Sequence, residues 1–215
     1  MLYGTEVQFS RKDRTVLRAS AGALLAFKPL ERVSFSKDRN TGKETIEYNY
    51  FVQGLISGNL RSIELLYIDN EIDSPAWKKL VSRRKDFINE SLLSSVNYAQ
   101  SLRKNCLSKK EDSGMRYKLL YRSCRILTQN IQLLTEGGLS FPLPNAERLK
   151  DLRENQDFDG LVTLNSELLE ELQDLYSKKQ FFNKPDLKWL EDHVQEVYAL
   201  AAYRFYKDKY GEVDV

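Results

Sequence analysis

Over most of the chain beyond residue 50, apolar positions recur at steps of three and four, the repeat that lines up one side of a helix. The longest such run is Met115–Glu136. Leu120, Cys124, Leu127, Ile131 and Leu134 fall on one side of it and predict a core face, and Gly137 follows as a residue able to take the left-handed conformation that ends a helix. Lys118, Arg122 and Arg125 fall on the other side, spaced four and then three residues so that their charged heads stack into one ridge. Gln129 and Gln132 prolong that stripe without charge. Two readings compete for the ridge: a solvated basic face, the ordinary fate of charges on an amphipathic helix, and a clamp for a phosphate chain.

The same repeat predicts the other helices. Phe51–Ser57 is a short one stopped by Gly58, and Asn59 suits the cap of the next, Leu60–Tyr67. Asp73-Ser74-Pro75 opens a helix through Trp77 and Leu80, because proline fits the first helical turn. Phe87, Ile88, Leu92, Val96, Ala99, Leu102 and Cys106 predict one long helix ending before the polar connection Ser108–Gly114. Pro142 and Pro144 force an extended crossing, after which Asn145 is expected to cap Ala146–Arg153. Leu161, Leu164, Leu168, Leu172 and Leu175 mark a helix entered past Asp157 and Asp159, and Pro185-Asp186 begins the last one.

Residues 1–50 read differently. Thr45–Tyr50 alternates polar and apolar, Leu24–Phe27 and Val33–Phe35 are short apolar runs, and Asn40-Thr41-Gly42 is a turn signal. Three short strands make a poor sheet alone and need covering. The expected class is therefore α+β, predominantly α, with a partial β element over 1–50 followed by a helical domain over 51–215.

Composition narrows the functional classes. A hydrophobic fraction of 41% with 11% aromatic residues excludes general disorder. No apolar run approaches a membrane span, and MLYGTEVQFSRKDR lacks the apolar stretch of a signal peptide, so a cytosolic protein is expected. Cys106 and Cys124 lack metal spacing and predict buried thiols; His193 stands alone, which removes any two-histidine site. Asp69, Glu71 and Asp73 alternate but sit where helix caps are expected, so no metal set is assigned to them. Charge is segregated. From Lys78 to Arg125 there are thirteen Lys/Arg against four Asp/Glu, and from Ile126 to Val215 ten against seventeen. Such segregation fits either mutual neutralisation across a packed interface or an external anion.

Beyond these patterns, Tyr117–Asn155 resembles the C-terminal half of a predicted nucleotidyltransferase family of bacteria and their phages, within the DNA polymerase β-like superfamily. The features that carry the resemblance are Lys118 and Arg125 seven residues apart, the turn Glu136-Gly137, the prolines Pro142 and Pro144, and Leu149 with Arg153. Upstream, Gly58-Asn59 followed by Glu64-Leu65-Leu66 is similar to another element of the family. The resemblance covers roughly residues 42–200 and implies Mg²⁺-dependent nucleotidyl transfer from ATP or another NTP. It implies a Gly-Ser pair followed by Asp-x-Asp, then a third acid on a neighbouring strand. No Gly-Ser occurs here; Gly4-Thr5 and Asp13 are what remains, with Arg14-Thr15 after them, and Glu44 is the best match for the third acid.

Two-metal transfer needs paired carboxylates. The expectation is thus a nucleotidyltransferase-like protein, catalytically incomplete, that binds a nucleotide or other phosphate anion through Lys118, Arg122 and Arg125. Two alternatives stand beside it: an interaction or inhibitor protein of a bacterium or phage engaging an acidic or nucleic-acid partner, and an active Mg²⁺-dependent enzyme whose acids include Glu44. Either would work in the bacterial cytosol, that of an infected cell included, with no membrane partner.

Overall fold

The computed structural model describes backbone and side chains over residues 48–68, 74–109, 114–178 and 185–203 and at Lys207, and backbone alone at 4–8, 15–20, 36–37, 44–47, 204–206 and 208–210. The chain divides into two compact units. One is drawn from Met1–Ser57, Ile68–Phe87 and Pro185–Val215, the other from Gly58–Tyr67 and Ile88–Lys184.

From Tyr48 on, every regular element is a helix: α1 Tyr48–Ile56, α2 Leu60–Leu65, α3 Pro75–Ser82, α4 Leu93–Leu107, α5 Gly114–Glu136, α6 Ala146–Glu154, α7 Phe158–Lys178 and α8 Leu187–Tyr210, with 3-10 turns at Arg84–Phe87 and Glu90–Leu92. The α+β class expected from the sequence is corrected to a helical one. No strand occurs among the residues whose side chains are described, which are overwhelmingly helical; before residue 48 only backbone is described, at Gly4–Gln8, Thr15–Ser20, Ser36–Lys37 and Glu44–Glu47, which pair in the spatial order first, second, fourth, third. Leu24–Phe27, Val33–Phe35 and Asn40-Thr41-Gly42 lie outside the described residues.

The strand expected over Thr45–Tyr50 also fails at its end, because α1 starts at Tyr48. Tyr48, Phe51, Val52 and Leu55 are buried at helical spacing, so a short polar–apolar alternation was overridden by the longer repeat that follows it. The long helix expected from Phe87 to Cys106 is broken at Ile88-Asn89. Asn89 is extended and its side-chain oxygen accepts from the Ser91 backbone N–H at 2.9 Å, capping a fresh helical start at Glu90.

Several caps follow the local chemistry. Asn59 Oδ1 accepts from Ser62 N at 3.2 Å, Asp157 Oδ1 from Gly160 N at 2.8 Å and Asp186 Oδ1 from Trp189 N at 3.0 Å, each satisfying a backbone donor that the helix start leaves open. Asn145 is different: it makes no side-chain cap and instead donates through Nδ2 to Thr128 Oγ1 of α5 at 2.7 Å.

In the second unit, α5 is the organising element, packed against α4, α6 and α7. Leu120, Cys124, Leu127 and Leu134 are buried as the repeat predicts. So are Ser123, Thr128, Gln129, Asn130 and Gln132, which gives this helix a polar seam inside the core. Ser123 Oγ donates to the Ala99 carbonyl at 2.8 Å and accepts from Asn165 Nδ2 at 2.9 Å, joining α4, α5 and α7; Ser95 Oγ donates to Asn130 Oδ1 at 3.0 Å. Buried polar groups need such partners, and a helix pair that supplies them is held in one register. In the first unit, α1, α3 and α8 pack around Phe51, Val52, Leu55, Trp77, Leu80, Leu190 and Val194. Among the described residues no helix is long and apolar enough to cross a membrane.

Candidate anion-binding site

Helix α5 has Arg116 and no acid in its first turn, and Lys118 follows in the next turn. The positive end of the helix dipole disfavours that arrangement, at roughly 0.3–1 kcal/mol for a charge in the first turn. Helix formation therefore gives no reason for cations here.

Lys118, Arg122 and Arg125 are all exposed, as the spacing of four and three requires. Their surroundings differ. Lys118 lies in solvent nearest the helix start. Arg122 sits over the Tyr98 ring of α4, its guanidinium carbon 5.3 Å from the ring centroid, and Tyr98 is itself 44% exposed. Arg125 Nη2 donates to Glu64 Oε1 of α2 at 2.7 Å. The same oxygen accepts from Gln129 Nε2, one turn further along.

The uncharged continuation of the ridge is thus not a surface stripe. Gln129 and Gln132 are buried, the first against Glu64 and the second donating to Glu136 Oε2 at 2.9 Å and to Ser140 Oγ at 2.5 Å while its Oε1 accepts from Ser140 N at 3.2 Å. An amide can offer a donor and an acceptor to neighbouring segments, whereas a cation in the same place would be left without water. The cationic ridge ends at Arg125 for that reason.

Further Arg–aromatic contacts flank α5. The Arg153 guanidinium of α6 lies 5.6 Å from the Tyr121 ring centroid, and that of Arg116 lies 4.0 Å from the Phe158 ring. Tyr117 donates to the Gln156 carbonyl at 2.7 Å. Arg148, by contrast, is paired with Glu167 at 3.0 Å across exposed surface. Among the described residues the face from Lys118 to Arg125 holds three cations and one ion-paired counter-charge, Glu64, whose side chain is only 15% exposed.

The remaining candidates are not joined to this face. The Glu44 side chain, Asp13, and Asp69, Glu71 and Asp73 lie outside the described residues. Among the described residues no three of His, Cys, Asp or Glu gather to hold a metal, so no step is derived through Mg²⁺. Cys106 and Cys124 are buried; burial pushes both thiols up, Cys124 to about 11, which keeps them protonated and poor nucleophiles. His193 is buried with Nε2 2.7 Å from Tyr48 Oη, and burial pushes its pKa down to about 4. At neutral pH it is an uncharged core imidazole.

Sequence reading missed the role of Glu64 as the counter-charge and of Tyr98 as the support for Arg122. Glu64 had a signal, since it stands in the Gly58-Asn59 to Glu64-Leu65-Leu66 element. Tyr98 had none, because periodicity does not say which aromatic on α4 faces which cation on α5. Set against known proteins, the chain matches no family, no curated protein and no solved structure.

Proposed function

We propose that the exposed face of α5 binds a nucleotide or another phosphate anion through Lys118, Arg122 and Arg125, on a nucleotidyltransferase-like chain that lacks most metal-holding carboxylates. The observation that supports this best is the excess of charge: three exposed cations on one helix face, ion-paired among the described residues only through the Arg125–Glu64 contact. Guanidinium groups suit the work, since each offers several N–H donors to phosphate oxygens, and Arg125 commits one of its own to Glu64. The features behind the nucleotidyltransferase resemblance, Lys118, Arg125 and Glu64, belong to this same face, which favours phosphate over an unrelated acidic ligand.

Isothermal titration with ATP, with and without Mg²⁺, tests the proposal. Binding that weakens at least about tenfold in Lys118→Ala/Arg125→Ala is expected, each tenfold being roughly 1.4 kcal/mol of lost phosphate contacts. No heat from the wild-type protein, or equal affinity in the double variant, would remove it.

A further inference from the structure

Resting on that reading, we infer that the α5 face takes its phosphates as part of a single-stranded nucleic acid, whose bases stack on the Arg–Tyr pairs Arg122/Tyr98 and Arg153/Tyr121. The cationic heads do not converge on one point. Lys118 to Arg125 spans seven residues, about 10 Å of helix, and an extended row of cations suits a repeating anion better than one compact phosphate group.

The aromatic residues are what a plain polyanion would not need. Tyr98 is 44% exposed and carries the Arg122 guanidinium 5.3 Å above its ring; on the α6 side, exposed Arg153 lies 5.6 Å from half-buried Tyr121. Both pairs lie in the same compact unit as the ridge, one contributed with α4 and the other with α6. A guanidinium lying over an aromatic ring presents a flat, weakly hydrated cationic surface, and a nucleobase stacks on such a surface whatever its identity. Duplex DNA keeps its bases inside the stack and offers only the backbone, so it would use the cations and leave the tyrosines idle.

Fluorescence anisotropy of the full chain with labelled dT and rU 12-mers, repeated across salt concentrations, tests the inference. Inorganic polyphosphate and a duplex of equal length serve as competitors. Three phosphate contacts predict a slope of log affinity against log salt near −2, and Lys118→Ala should make it shallower by about 0.7. Tyr98→Ala should weaken binding by about 5- to 100-fold with the slope unchanged, and Tyr98→Phe should restore it, because the ring and not the hydroxyl stacks. The two oligonucleotides distinguish DNA from RNA. Unchanged affinity in Tyr98→Ala, or competition by polyphosphate or duplex as effective per phosphate as by single strand, overturns the inference and leaves ATP binding standing. Failure of every phosphate ligand to bind overturns both.

Discussion

Trp189 lies flat against His193, their ring centroids 5.0 Å apart and their planes within 6°. The Arg83 guanidinium sits 4.3 Å over the Trp189 ring, and the Tyr48 hydroxyl is 2.7 Å from His193 Nε2, so the imidazole is enclosed by rings. Its other nitrogen, Nδ1, has no hydrogen-bond partner. Glu196 nearby favours a protonated ring and Lys79 opposes it, but these two are paired with each other at 2.9 Å and burial dominates. The unfolded imidazole titrates near 6.5 and the folded one near 4. Between those values only the unfolded chain takes up the proton, so stability falls as pH falls, by up to about 1.4 kcal/mol per pH unit, and the loss stops growing below about 4. Denaturant unfolding at pH 7, 6 and 5 should show this slope in the wild type and a smaller one in His193→Gln. Equal slopes would mean the ring is not buried uncharged.

Two glycines share the same backbone conformation and should respond differently to alanine. Gly58 and Gly137 have φ of +70° and +69°. A methyl group at Gly137 would meet nothing within 4 Å, so only the left-handed conformation is penalised, by about 1–2 kcal/mol. At Gly58 it would run into the Ser91 carbonyl and come within 2.8 Å of the Leu92 nitrogen, both backbone atoms that cannot turn aside. Gly58→Ala should therefore destabilise by several kcal/mol, at the overpacking end of the range, and thermal melts of the two variants should separate clearly. Similar melting temperatures would place the Ser91 backbone elsewhere.

What the sequence made legible follows from which physics is local. The bounds of α5, its core face, the stop at Gly137, the cap at Asn59 and the helix starts near Asp157 and Asp186 depend on residues a few positions apart. The exposed positions of Lys118, Arg122 and Arg125 were legible for the same reason. The assembly of the first unit from separate stretches of chain was not, because it depends on pairings between segments more than a hundred residues apart, such as Tyr48 with His193. Nor was the burial of Gln129 and Gln132, which are covered only because Glu64 and Ser140 bring matching donors and acceptors. The break at Asn89 was hidden because the apolar repeat runs on through it.

The polar seam of the second unit gives a sharper test of packing than its leucines do. Asn165 is fully buried, donates to Ser123 Oγ, and leaves its own Oδ1 without a partner. Asn165→Leu keeps most of the volume and removes that orphaned acceptor, while Ser123 retains its bond to the Ala99 carbonyl. Asn165→Ala adds a cavity to the same loss. The leucine variant should be more stable than the alanine variant by at least about 1 kcal/mol in urea unfolding. The reverse order would show that the carbonyl of Asn165 is satisfied.

Glu64 separates what stabilises the fold from what binds the anion. Its carboxylate accepts from Arg125 and Gln129 and is mostly covered, so Glu64→Gln replaces a charged acceptor with a neutral one and should lower stability by about 1 kcal/mol, the half-exposed Arg125 limiting the loss. Binding should move the other way. That carboxylate already competes for the cationic face, and a unit charge at about 6 Å in a water-like dielectric is worth roughly 0.7 kcal/mol, a factor of about three in affinity. ATP should therefore bind about threefold tighter to Glu64→Gln at low salt, with the gain shrinking as salt screens it. A weaker complex in Glu64→Gln would instead make Glu64 the residue that holds Arg125 in place for its ligand.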